Sequence, residues 1–346
     1  MEIKHNSQIT TASAKNLFGL MPNAEEIYSY EISGKNGMTL KVITYGATIT
    51  ELKVPLKNGD IADVVLGFET LEGYLQSFHL DGAPYFGAIV GRFAGRIHNS
   101  SFELNGQKIL LNKNNNGNSL HGGTVGFSQK VWTVAKVTGS AITLSYTSPA
   151  SEENYPGSLT VEVTYTVTDS NELNIEYSAK TTEDTIVNLT SHSYFNLEGH
   201  SADVKDQDLL VNADQVLETT ADNIPTGRFL EVENTSFDFL TPKKCPSQID
   251  NTFVTQKNEF AASLFSRKNN LKMTVYTDQP GVHIYVGGNC QNAIKGKENA
   301  DYHSLSGICF ETQNFPDAPN HEHFPSAVLK KGEEYVQKTT YKFETV

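Results

Sequence analysis

Leu159-Thr-Val-Glu-Val-Thr-Tyr-Thr-Val167 alternates apolar and polar side chains without a break. Successive side chains of a strand point to opposite faces, so this stretch is a strand with one face buried. The turn residues Asp169-Ser170-Asn171 follow, and Leu173-Asn-Ile-Glu-Tyr177 resumes the alternation, which predicts a hairpin. The same period recurs in Leu40-Lys-Val-Ile-Thr44, Ala141-Ile-Thr-Leu-Ser-Tyr146, Met273-Thr-Val-Tyr276 and Val282-His-Ile-Tyr-Val286. Phe102-Glu-Leu104 and Ile109-Leu-Leu111 flank Asn105-Gly106, a dipeptide that tolerates the positive φ angles of a two-residue hairpin turn. Helical patterning is confined to Thr70-Leu-Glu-Gly-Tyr-Leu75, with a capping threonine, and to Glu259-Phe-Ala-Ala-Ser-Leu264. Many strands with turn signals and few helices predict an all-β fold, a large antiparallel β-sandwich with a few short helices.

The 346 residues contain no fixed-period repeat, no low-complexity block and no Pro-, Gly- or Ser-rich linker, so residues 25–346 are expected to form one domain. Residues 1–24 are polar and unpatterned and are expected to form a loose arm. A net charge of −13, from 27 basic and 40 acidic residues, argues against nucleic acid or an anionic membrane as partner. No window approaches a membrane span, and Met1-Glu-Ile-Lys-His-Asn-Ser7 lacks the apolar core of a signal peptide. Cys245, Cys290 and Cys309 are widely spaced and signal neither a disulfide framework nor a zinc site. A cytoplasmic location is expected.

Histidine changes charge near neutral pH, and the chain has 10. His5 and His79 lie in polar context and His98 and His200 beside turn residues, which makes them weak candidates. His192 stands in the strand-like Asn188-Leu-Thr-Ser-His-Ser-Tyr-Phe-Asn196, among polar neighbours. It reads either as a hydrogen-bonded structural side chain or as an acid/base group. Glu311, in Ile308-Cys-Phe-Glu-Thr-Gln313, is a carboxylate within an apolar strand, where desolvation raises a pKa toward the range of a general base. A paired core charge is the alternative. His121 precedes Gly122-Gly123, which is either a ligand-approaching loop or an ordinary turn. Arg92 and Arg96 flank Phe-Ala-Gly and offer rigid donor forks for hydroxyls or for salt bridges. The glycines here do not fit a dinucleotide fingerprint. Asp250, in Gln248-Ile-Asp-Asn-Thr-Phe253, reads as an orienting acceptor or as turn chemistry. His321-Glu-His323 has metal-ligand types, but Pro319 and Pro325 bracket it and argue for a loop.

Taken in order, Gly91-Arg-Phe-Ala-Gly-Arg-Ile97, Leu120-His-Gly-Gly123, Asn188–Asn196, Ile249-Asp-Asn-Thr-Phe253 and Phe310-Glu-Thr-Gln-Asn-Phe-Pro-Asp317 resemble the motifs of the aldose 1-epimerase (mutarotase) family. The resemblance runs from about residue 25 to the C-terminus. It implies a galactose mutarotase-like supersandwich acting on a free aldohexose, with no cofactor and no metal, as a monomer or weak homodimer. It assigns His192 as general acid and Glu311 as general base, with Arg96, His121 and Asp250 as sugar-binding residues. Two departures stand out: Gly95, where many members have asparagine, and His283, where many have glutamine. His283 is therefore also expected near the sugar. A glycoside hydrolase using Asp250 and Glu311, or a non-catalytic sugar-binding sandwich, are the competing readings.

Overall fold

The computed structural model describes residues 14–256, 259–287 and 293–346. Three antiparallel sheets dominate. The largest has nine strands in the order Thr133–Val137, Ala141–Ser148, Leu159–Val167, Glu172–Thr181, Glu334–Thr345, Leu271–Thr277, Phe260–Ser266, Asp208–Val211 and Lys243–Lys244. The hairpin read from the sequence forms its third and fourth strands, paired without a slip from Leu159↔Thr181 to Val167↔Leu173. A six-stranded sheet runs Tyr194–Phe195, Ile308–Gln313, Gly281–Val286, Ile249–Val254, Gln215–Thr219 and Pro225–Glu231. A five-stranded sheet runs from Ala14–Leu20 through Glu26–Ser33, Thr39–Ile43 and Ile49–Pro55 to Ile61–Asp63. The antiparallel sandwich expected from the sequence is borne out.

Alternation decides which face is core. Val161, Val163, Tyr165, Leu173, Ile175, Met273 and Val275 from the large sheet pack in one cluster with Val282, Ile284, Ile308, Phe310 and Phe253 from the six-stranded sheet. Leu40, Val42, Ile49 and Leu52 of the five-stranded sheet join the same cluster. Each fully buried side chain of this size stabilises the fold by about 1.5–3 kcal/mol. Buried hydroxyls bridge the layers: Tyr341 donates to the Phe310 carbonyl at 2.9 Å and Tyr165 to the Ala47 carbonyl at 2.7 Å.

The Asn105-Gly106 turn forms as expected, with both residues at positive φ and Leu104 paired to Gln107. So does the helix Leu71–Ser77, whose first turn is capped by Thr70 Oγ1 accepting the Gly73 N–H. The second expected helix is corrected. Residues 260–266 are a strand between Asp208–Val211 and Leu271–Thr277, and a bulge between Phe260 and Ala262 buries Ala261 and Ala262 together. The bulge erases the period-two signal, and pairing on both edges overrides the local helical preference of alanine. Part of the expected arm is also corrected. Ala14–Leu20 is a strand paired to Glu26–Ser33; residues 1–13, with His5, and Cys290 lie outside the described residues.

Candidate active site

The six-stranded sheet buries one face in the core, and the other, partly covered, is polar. With Ile249 and Phe253, Val282 and Ile284, and Ile308 and Phe310 turned to the core, strand alternation puts Asp250 and Thr252, His283 and Tyr285, and Cys309, Glu311 and Gln313 on the other side. Register lines them up across three strands: Thr252 opposite His283, His283 opposite Glu311, and Asp250 opposite Tyr285. Loops over this face leave a cleft of about 430 Å³, within the usual range of small-molecule sites.

His192 enters from a separate segment. Thr190–Ser191 pairs with Ile89–Val90, Tyr194–Phe195 pairs with the Glu311 strand, and His192 lies in the link between them. Its backbone is pinned on both sides, its N–H donating to the Ala88 carbonyl and its carbonyl accepting the Gly87 N–H. This places His192 Nε2 3.5 Å from Glu311 Oε1, with both side chains nearly inaccessible to solvent. His192 Nδ1 faces the buried Cys309 Sγ at 3.7 Å. The Tyr85 ring lies 5.6 Å from the His192 ring and 5.0 Å from that of His121.

Arg96 and His121 are delivered by a short ladder, Arg96–Ile97 with Ser119–Leu120, in which Leu120 pairs with Arg96. His121 follows at φ 52°, in the left-handed region, and Asn114 and Glu153 hold the loop around it through backbone groups of Leu120, Gly123, Thr124 and Val125. Gly122 is required: a Cβ there would lie 1.9 Å from the Gly91 carbonyl oxygen. His121 Nδ1 accepts the Gly95 N–H at 3.2 Å, so the neutral ring carries its proton on Nε2. Desolvation, with the positive charges of His192, Arg96 and His283, pushes the His121 pKa well down. Arg96 Nε donates to Asn115 Oδ1 at 3.1 Å. Arg92 takes the structural reading: it is buried and donates to Ser148 Oγ and to the Pro156 and Gly157 carbonyls, outside the cleft.

Asp250 and His283 form a second ionic pair, Oδ1 to Nε2 at 2.8 Å, while Asp250 Oδ2 accepts from Asn223 Nδ2 at 2.7 Å. Burial acts to raise the Asp250 carboxyl, but the hydrogen bond and charge of His283, with Arg96 and His192, hold it below its ordinary value. For His283 burial acts downward, and Asp250 and then Glu311 outweigh it, so the imidazolium persists to higher pH. His283 Nδ1 lies 2.9 Å from Thr252 Oγ1, a hydroxyl that serves as partner to either protonation state.

Arg96, His121, His192, Asp250, His283 and Glu311, singled out across 216 residues of sequence (96 to 311), thus line one cleft. His79 is exposed, as its polar context suggests, and His98 is exposed as well, whereas His200 is buried and belongs to a different cluster. His321 and His323 lie in a loop, and His323 contacts the Gly227 carbonyl. Sequence reading missed Tyr85, Asn115, Thr252, Asn223 and Gln313. Thr252 and Gln313 were recoverable, because each stands two residues from a chosen carboxylate on the same strand face. Tyr85, Asn115 and Asn223 sit on loops and carry no periodic signal. Among the described residues, one group could hold a metal ion: donor atoms of His121, His192 and Glu311 lie within 4.8 Å of one another.

The aldose 1-epimerase family model matches residues 28–342. The chain belongs to the aldose 1-epimerase family. Galactose mutarotase from Bos taurus is 40% identical over 340 residues, covering 94% of this chain and 97% of that protein. Aldose 1-epimerase from Escherichia coli (strain K12) is 30% identical, with the same coverage of each. A solved GalM/aldose epimerase homologue from C. elegans superposes with a TM-score of 0.85 at 30% identity, covering 96% of this chain and all of that one. Galactose 1-epimerase from Lactobacillus acidophilus gives 0.82 at 25% identity over 96% of this chain and 98% of that one. Family membership agrees with the resemblance read from the five motifs.

Proposed function

We propose that the protein interconverts the α and β anomers of free aldohexoses such as galactose and glucose, with His192 and Glu311 as its acid/base pair. The observation that carries this is the 3.5 Å approach of His192 Nε2 to Glu311 Oε1 on the floor of the cleft. The anomeric hydroxyl and the ring oxygen share one carbon, so opening the ring requires a base and an acid that are neighbours. Glu311 takes the proton of the anomeric hydroxyl while His192 gives one to the ring oxygen. The bond from the anomeric carbon to the ring oxygen breaks, and the anomeric carbon becomes an aldehyde. Rotation about the C1–C2 bond exposes the other carbonyl face, and the reverse transfers close the ring as the opposite anomer. Each transfer by a positioned side chain is worth about 10²–10⁴-fold.

The remaining groups bind and orient. His121 Nε2–H and the Arg96 guanidinium are donors, and Asp250, kept ionised, is an acceptor. Among the described residues Arg96 is the one arginine lining the cleft and no lysine joins it, which favours an uncharged sugar over a phosphorylated one. Both oxygens of Asp250 are engaged by His283 and Asn223, which favours the His192–Glu311 pair over a two-carboxylate hydrolase. The test is the optical rotation of freshly dissolved α-D-galactose and α-D-glucose. Faster approach to equilibrium than in buffer supports the reading. Buffer rates for both sugars, or release of nitrophenol from a nitrophenyl galactoside without mutarotation, contradict it.

A further inference from the structure

Gln313 ends the strand that carries Glu311, two residues on and on the same face, so its carboxamide points to the cleft side roughly 6–7 Å along the strand. It lines the cleft and is 1% exposed, yet its Oε1 is buried with no hydrogen-bond partner among the described residues. The register explains this. The residue opposite Gln313 on the adjoining strand is Gly281, which has no side chain to offer. On the other side, the strand Tyr194–Phe195 reaches only Cys309 and Ile308. Thr312 and Asn314, the chain neighbours of Gln313, are satisfied elsewhere, through Thr339 and through Asn188 and the Pro325 carbonyl. Native proteins rarely leave a buried amide oxygen unpaired, and such atoms mark places where a ligand or water completes the site.

We propose that Gln313 is a sugar-binding residue that sets specificity, its carboxamide pairing with one ring or exocyclic hydroxyl away from the anomeric carbon. The inference rests on reading the cleft as a free-sugar site. With Glu311 at the anomeric hydroxyl, an amide one strand repeat further on lies on the scale of a pyranose ring. An amide offers both an acceptor and two donors, so it pairs with a hydroxyl in either orientation. It rejects a sugar lacking that hydroxyl, because its Oε1 then stays buried and unpaired.

The experiment compares wild type with Gln313→Leu, which keeps the approximate volume and removes every polar atom. Mutarotation is measured for D-galactose and its 2-, 3-, 4- and 6-deoxy analogues, and unfolding of the sugar-free proteins is followed in urea. The expected kcat/KM for galactose falls by about two- to tenfold in Gln313→Leu. The wild type's penalty against one deoxy analogue shrinks toward unity in the variant, while the other penalties stay. The urea midpoint of Gln313→Leu is equal to or above that of wild type, since a buried amide oxygen without a partner has been replaced by an apolar group. Unchanged penalties against all four analogues would overturn the proposal, as would a lowered urea midpoint with no change in discrimination, which marks a structural role. Failure of the parent reading shows separately, as wild-type rates on galactose equal to buffer. Gln313→Glu, which retains an acceptor, guards against loss of folding in the leucine variant: it is expected to keep part of the discrimination, and its losing none overturns the assignment equally.

Discussion

Lys297→Met should destabilise the fold sharply and in a pH-dependent way. Lys297 Nζ is buried, 2.6 Å from Asp63 Oδ2 and 2.6 Å from the Thr50 carbonyl oxygen. His200 Nε2 approaches the same Asp63 oxygen at 3.4 Å, and His200 Nδ1 lies 2.9 Å from the Tyr302 hydroxyl. Burial acts to raise the Asp63 carboxyl, but the His200 hydrogen bond and the charge and hydrogen bond of Lys297 outweigh it and hold it at about 2. A fall from 3.8 to about 2, at about 1.36 kcal/mol per pH unit, is roughly 2.5 kcal/mol of stability. The folded-state pKa is depressed, so this stability is present above about pH 4 and is lost as pH falls toward 2.

Removing Lys297 leaves a buried carboxylate short of its main counter-charge, which costs about 3–5 kcal/mol. Urea unfolding followed by the fluorescence of Trp132, the one tryptophan and fully buried, measures the difference directly. At pH 7 the variant should be less stable by that amount. Between pH 7 and 5 the gap should narrow, because Asp63 in the variant protonates at higher pH and sheds its charge. A loss below about 1 kcal/mol, or one that does not change with pH, would refute the reasoning.

The Asp250–His283 pair makes a prediction of opposite sign. The raised His283 pKa contributes stability that is complete below the free imidazole value, about 6.5, and disappears as pH rises through the folded-state value. The stability advantage of wild type over His283→Gln should therefore be larger at pH 6 than at pH 9, measured by urea unfolding at both; an equal advantage would count against the pair. Dialysis against EDTA should leave the mutarotation rate unchanged. A loss restored by zinc would instead assign His121, His192 and Glu311 to a metal ion.

Period-two alternation carried most of the fold into view, because strands such as Leu159–Val167 and Glu172–Thr181 bury one face continuously and pair in unbroken register. It failed at Phe260–Ser266, where a bulge puts consecutive alanines on the inside, and at Ala14–Leu20, whose exposed Leu17 and Leu20 show no pattern. His192 and Glu311 were legible as residue types in unusual strand contexts. Their contact spans 119 positions, from 192 to 311, and depends on a link crossing between two sheets, which no local pattern encodes. His200 shows the converse. It sits beside turn residues and looked unremarkable, yet Asp63 and Lys297, far away on both sides in sequence, make it part of a buried ionic cluster.

In the proposed mechanism Glu311 and His192 move the two protons, and Glu311→Gln removes one of those transfers. The substitution keeps the side chain's shape beside His192 and removes its capacity to accept a proton. Polarimetry on α-D-galactose at saturating concentration should show kcat reduced by about 10²–10⁴-fold. Retention of more than about a tenth of the wild-type kcat, an effect below about 1.4 kcal/mol, would contradict the account.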